Sequence, residues 1–261
     1  MDRIVTHART PIRRARRALV CGVALAALAG TAFAAPPKPV ADALAQISAS
    51  GNKLASGWRY KQTITGTQQS EKLAYDASQP EGRRWTVLSV DGKKPSPEKA
   101  RELAGQAKQA HGKGRGGSLA LGADSWLMTS HYRLVDSSGD RLVYQIEPRP
   151  GAHSDAATAS MLKHLSGQFV VAKSDHRPVS LTLDNFETFS PRFGVEIKSF
   201  QLKILFRRLA AGSQPVVAQK VSTEAKGKVF WIKGFDARTR VVLSDFAPVS
   251  SAAKPPVAAT H

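Results

Sequence analysis

Arg192 to Arg207, RFGVEIKSFQLKILFR, carries apolar residues at a period of two over most of its length, which predicts one long β-strand. Phe193, Val195 and Ile197 fall in one phase, and Phe200, Leu202, Ile204 and Phe206 fall in the opposite one, with the switch at Ser199. A slip of that kind predicts a β-bulge, because one extra residue restores both series to a common face. Sixteen residues at roughly 3.3 Å each would span ~50 Å, far more than an ordinary strand of ~20 Å, so the sheet is expected to curve. Curved, bulged sheets wrap around a core or a cavity and close into whole or partial barrels.

The first 34 residues have a different character. Arg13, Arg14, Arg16 and Arg17 precede the apolar run Ala18 to Phe33, which ends in Ala32-Phe33-Ala34. This order of basic region, apolar region and small residues predicts a cleavable signal peptide, with the mature chain starting at Ala35. About sixteen apolar residues are short for a membrane span. Arg16-Arg17-Ala18-Leu19-Val20 leaves the export route, general or twin-arginine, open. The single cysteine, Cys21, lies inside the leader, and Ala18-Leu19-Val20 before it make no lipoprotein cleavage box. The mature chain is therefore expected to have no disulfide and no thiol nucleophile, and to rely on a core that about 227 residues bury as one domain over 35–249.

Charge narrows the partners. The chain has 38 Lys and Arg against 20 Asp and Glu. The leader takes away six Arg and one Asp, so the mature charge is +13. An exported basic protein meets anionic membrane surfaces and acidic envelope partners, and nucleic acid is excluded as a partner by the compartment.

Along the chain, Ala35 to Pro39 is a Pro-rich lead, followed by Val40, Leu44 and Ile47 on one face of a short helix ending near Gly51. Trp58 to Thr65, Lys72 to Asp76 and Arg84 to Asp91 read as strands, the last two separated by the turn residues Pro80 and Gly82. Ser96-Pro97-Glu98 starts a helix to about Ala110 whose apolar stripe, Ala100, Leu103, Ala104 and Ala107, is too small to anchor deeply. It reads as a mobile lid or as a solvated crossover helix. Gly112 to Ser118 is a basic Gly-rich loop without P-loop spacing. Leu119 to Val135 and Arg141 to Glu147 are expected to form a hairpin, with Trp126, Met128, Tyr132 and Leu134 facing Leu142, Tyr144 and Ile146. Asp155 caps a short helix. Gln168 to Lys173 and Val179 to Asp184 make a second hairpin. Val216 to Glu224, Gly227 to Lys233 and Thr239 to Phe246 add strands, and 250–261 is an Ala/Pro-rich tail expected to be disordered. About ten strands and three helices make an α+β fold.

No residues fall into a catalytic or metal-binding pattern. His111, His131, His153, His164, His176 and His261 have no ligand spacing, so no metal and no cofactor is expected. Asp184 with Glu187, or Asp124 with His131 and a serine, lack a nucleophile elbow or other supporting motif and read as surface and turn residues. What remains is a set of inner-face apolar residues, Trp58, Tyr60, Trp85, Trp126, Met128, Tyr132, Phe200 and Trp231, which either line an apolar pocket or fill a core.

The order of parts, with RWTVLSVDGK (84–93), SPEKARELA (96–104), GQFVVAKSDHRPVSLTL (167–183) and FWIKGFDARTRVVLSDFAPV (230–249), resembles the exported LolA/LolB-like family of lipoprotein carriers. The resemblance implies a half-open, mostly antiparallel β-barrel with a helical lid over a hydrophobic cavity. It further implies a periplasmic, monomeric, non-enzymatic carrier of a lipid or lipoprotein acyl chain in a Gram-negative bacterium, working between an inner-membrane donor complex and an outer-membrane acceptor. The eight apolar residues would contact the cargo. This chain departs from the carriers in its Lys/Gly-rich segment from Lys93 to Gly117 and in lacking a lipobox. A sensor or adaptor on the same fold, binding another envelope protein through its basic face, is the alternative.

Overall fold

A computed structural model describes residues 35–112, 123–151, 154–209, 215–230 and 232–249, with side chains at 110–112 and 123–125 left out. The expected leader, the basic Gly-rich loop beyond Gly112, the C-terminal tail and Trp231 lie outside the described residues. Eleven strands form one antiparallel sheet: β1 Trp58–Gly66, β2 Ser70–Asp76, β3 Trp85–Val90, β4 His131–Asp136, β5 Arg141–Glu147, β6 Leu165–Ala172, β7 Pro178–Asn185, β8 Phe189–Arg192, β9 Val195–Arg208, β10 Val216–Val229 and β11 Lys233–Pro248. Their order is β3-β2-β1-β11-β10-β9-β7-β6-β5-β4, with β8 paired to β9. Among the described residues β3 and β4 each pair on one side only, so the sheet is open, and a large antiparallel sheet with a few helices fits the expected curved α+β fold. The helices are α1 Lys38–Gly57, α2 Pro97–Gly112, α3 Ala123–Thr129 and α4 Ala156–Leu162.

The deciding stretch contains the expected bulge. Ser199 pairs with Lys226 and Ile197 with Gly227, which leaves Lys198 as the extra residue. Ile197 and Phe200, in opposite phases along the sequence, thereby project from the same face as their partners Gly227 and Ala225. The stretch is not one strand, however. Phe193 and Gly194 form a tight turn, with Gly194 at φ +77, and Arg192 ends β8 on the far side of it. A second bulge, at Gln219, lies between Ala218 paired to Phe206 and Lys220 paired to Leu205.

Other expected boundaries move for identifiable reasons. α1 continues past Gly51 because Leu54 is buried, and the Tyr75 hydroxyl donates to the Ala55 carbonyl (2.6 Å), satisfying one of the carbonyls at the helix end. Within the expected strand Leu119 to Val135, residues 123–129 are helical. Trp126 and Leu127 are neighbours and both 1% exposed, which one face of a half-buried strand cannot provide. The expected strand Gly227 to Lys233 instead straddles a hairpin: β10 runs unbroken to Val229, Phe230 turns at φ +48, and β11 starts at Lys233.

The core occupies one face of the sheet. α1 buries Val40, Ala43, Leu44, Ile47 and Leu54 on a helical stripe and packs on β1, β6, β7 and β10. Its Ser50 hydroxyl donates to the Gln46 carbonyl (2.6 Å) and accepts from Val216 N–H (2.8 Å). Beneath α1 lie Phe169, Val171, Leu181, Leu183, Leu202 and Ile204. At Gly167 the sheet needs glycine, because a Cβ there would stand 1.8 Å from the Thr182 carbonyl oxygen.

Candidate functional site

The inner face carries two apolar clusters. In one, Tyr60 stacks on Tyr75 (ring centroids 5.0 Å apart, 27° between planes), Trp85 lies 5.0 Å from Tyr75 and edge-on to Tyr60 at 5.9 Å, and Phe246 lies 5.8 Å from Tyr60. These four rings come together because Tyr60 pairs across the strands with Tyr75, and Tyr75 with Trp85, placing their side chains on one face. Leu73 and Leu243 complete the cluster. In the other, Trp126, Tyr132, Tyr144, Ile146 and Phe169 join the residues under α1, and Phe200 packs against them half-buried.

The eight residues singled out from sequence therefore separate. Tyr60 and Trp85 meet in the first cluster, and Trp126, Tyr132 and Phe200 belong to the second. Trp58 is half-buried and in neither cluster. Met128, expected to face inward from a strand, is 48% exposed on α3. Trp231 lies outside the described residues. Sequence reasoning missed Tyr75 and Phe246. Tyr75 alternates with Leu73 along its short strand, and that period was the available signal.

The covering of the first cluster is slight. α2 packs on β3, with Leu103 buried and the small side chains of Ala104 and Ala107 against the rings. Outside that contact α2 is held by an exposed Lys108 to Glu81 pair (3.3 Å). Ser96 caps it as expected, accepting from Lys99 N–H at 3.3 Å. Gln62, paired with Leu243 and Leu73, shares the inner face with Tyr60, and its Oε1 is buried without a hydrogen-bond partner among the described residues. Burial pushes the Tyr60 and Tyr132 hydroxyls above the ordinary tyrosine range, which keeps both neutral.

On the opposite face an open groove of about 580 Å³ is lined by Thr65, Thr67, Glu224, Asp236, Arg238 and Arg240. Its lining is polar and charged, unlike the apolar cavity expected from sequence. Asp184 accepts from Gln201 (2.8 Å), whereas Glu187 pairs with His164 (2.8 Å), so the two acids are engaged by different neighbours. Among the described residues no three His, Cys, Asp or Glu side chains are grouped as metal ligands.

No protein-family model and no curated protein matches the chain. Among solved structures, the crystal structure of MucB in complex with MucA(peri) aligns with 81% of this chain and 100% of that chain, at 12% identity and a TM-score of 0.21. A likeness that slight carries no argument about function.

Proposed function

We propose that the chain is an exported, non-enzymatic periplasmic protein that binds a lipid or lipoprotein acyl chain and carries it across the envelope, with the rings under α2 as the apolar contact. One observation carries the reading: four aromatic rings and a Gln62 acceptor without a partner among the described residues share one face, in a cluster against which α2 sets Ala104 and Ala107. A helix anchored by one leucine costs little to lift, because alanine buries little apolar area, and the surface it uncovers is a ready acyl platform. Gln62 would accept a hydrogen bond from a polar group near the head of the cargo. Uptake of a fluorescent fatty-acid analogue tests this. The wild type should take up the probe saturably, and Ala104→Trp, which crowds the contact between α2 and the cluster, should abolish uptake in a variant whose circular dichroism is unchanged. A wild type that takes up no probe, or an unaffected Ala104→Trp variant, removes the reading.

The second reading, an adaptor that holds another envelope protein, draws on the +13 mature charge, which favours an acidic partner. Native mass spectrometry of protein purified from its own periplasm separates the two, because a carrier retains acyl cargo and an adaptor arrives with a protein.

A further inference from the structure

Part of the sheet stands away from the core. The pairing of β1 with β11 stops at Gly66 and Thr239, and that of β7 with β9 stops at Asp184 and Gln201. Beyond those points the strand ladders of β9, β10 and β11 run only with one another and with β8, forming an arm ~20 Å long from Thr239 to Lys233 at about 3.3 Å per residue, braced near its base by Thr67, which accepts from Arg238 N–H (2.8 Å), and by Asn185, which donates to the Lys198 carbonyl (3.1 Å). At its end two turns meet. Phe230 N–H donates to the Gly194 carbonyl (2.6 Å), and the Phe230 ring lies so close over Gly194 that an added Cβ would stand 2.8 Å from Cε1. The tip is thus a built surface, and it presents Phe193, Phe230 and Ile232 at 84%, 60% and 89% exposure.

Three large apolar side chains so exposed, at a convex end, are costly in water and mark a contact with something apolar. The charges around them say what it is. Arg192, Lys228 and Lys233 flank the tip, and among the described residues none of the three makes an ion pair, while Glu196, across the ladder from Lys228, is the acid among them. Lower on the shaft Asp236 is engaged by Lys226 (3.7 Å) and Arg238 (3.2 Å), whereas the three cations at the tip make no ion pair among the described residues. Apolar residues at the extremity with long basic side chains just behind them match a bilayer surface: the rings and Ile232 enter the acyl boundary and the Lys and Arg stems extend to anionic headgroups. A flat protein partner would leave a projecting three-residue tip only partly covered. We propose that the end of this arm docks the protein on anionic phospholipid membranes, independently of any cargo bound under α2.

The test uses the mature chain from Ala35, free of the apolar leader, with vesicles of neutral phosphatidylcholine, with and without phosphatidylglycerol. Co-sedimentation should require the anionic lipid and weaken as salt is raised. Phe193→Ser with Ile232→Ser should weaken binding at least tenfold, and Lys228→Glu with Lys233→Glu should weaken it and flatten the salt dependence. An environment-sensitive dye on Ile232→Cys, the one cysteine of the mature variant, should shift to the blue on anionic vesicles and be quenched by spin-labelled acyl chains. All these side chains are exposed or half-exposed, and unchanged circular dichroism confirms that each variant folds. Wild-type binding by the serine variant, or a dye that stays in water, overturns the proposal. So does a serine variant that keeps its vesicle affinity and loses a protein partner in native mass spectrometry.

Discussion

His176 Nδ1 lies 2.7 Å from Asp42 Oδ2, joining the turn between β6 and β7 to the first turns of α1. Around this contact Gln46 Nε2 donates to the carbonyls of Asp175 (3.1 Å) and His176 (3.3 Å), and Arg208 pairs with Asp175 at 2.8 Å. The helix that covers the core is thus tied at one end to the sheet by polar groups and along its length by Val40, Ala43, Leu44, Ile47 and Leu54.

The tie predicts a specific acid sensitivity. Hydrogen bonding to Lys38, and next to His176, holds the Asp42 carboxyl below its ordinary value of 3.8. A carboxyl lowered on folding stabilises the protein above its unfolded value, and the contribution is lost as pH falls through the lowered folded value. Asp136, Asp155, Asp175 and Asp236 are lowered too, so the protein as a whole loses stability in acid. The expected result is that Asp42→Asn has a lower Tm than the wild type at neutral pH and that the gap narrows below pH 3.8. Thermal melts across that range check it; a gap that stays constant in acid contradicts the assignment.

Trp126 and Phe200 should behave differently. Trp126 is 1% exposed within the main cluster, so Trp126→Ala should cost ~3–5 kcal/mol. Phe200 sits half-buried at the base of the arm, and Phe200→Ala should cost clearly less. Urea unfolding of the two variants gives both numbers.

Alanine should have opposite effects at two glycines. At Gly167 the new methyl would meet the Thr182 carbonyl and the Leu183 backbone, and crowding of that kind typically costs ~1–3 kcal/mol. At Gly105, inside α2, nothing lies within 4 Å, so Gly105→Ala should stabilise by up to ~1 kcal/mol through helix propensity. Denaturant midpoints of the paired variants decide it. If Gly105→Ala also slows acyl-probe uptake, α2 must bend or unwind for entry.

Export predicts a defined N-terminus. Expressed with its full leader in a Gram-negative host, the chain should be recovered from the periplasm starting at Ala35, as read by N-terminal sequencing. A mature form that retains Arg13 to Phe33 would remove the periplasmic setting and the acyl-carrier reading with it.

Where local chemistry and the final fold agree, the sequence was readable. Ser96 and Asp155 cap their helices, Thr158 N–H reaching Asp155 Oδ1 at 2.8 Å, because a capping side chain bonds only backbone within its own turn. The hairpins across Asp136 to Asp140 and Ser174 to Pro178 stand where their turn residues placed them. The bulge was visible because apolar phase is a direct image of the pleat. Misreadings fell where one pattern served two structures. Trp126 and Met128 keep a strand's period inside a seven-residue helix, and Phe230 and Ile232 continue a strand's apolar texture through a turn. The separation of the aromatic residues into two clusters was hidden for a different reason. It depends on which strands become neighbours: β1 sits between β2 and β11, far from β6 and β7, and no local signal encodes that order.

Lys198 also sets an arithmetic rule for the chain. Because it is the unpaired residue between Ile197 and Ser199, it reverses the sequence phase of the apolar residues on its two sides while leaving them on one face. Removing it would bring Val195, Ile197 and Phe200 into one phase, so Ile197 would stay opposite Gly227 and Phe200 opposite Ala225 in an unbroken ladder, and the side chains would keep their faces. A single deletion is therefore tolerated at this one position and disruptive elsewhere in the paired strand, where it turns the side chains beyond it to the other face.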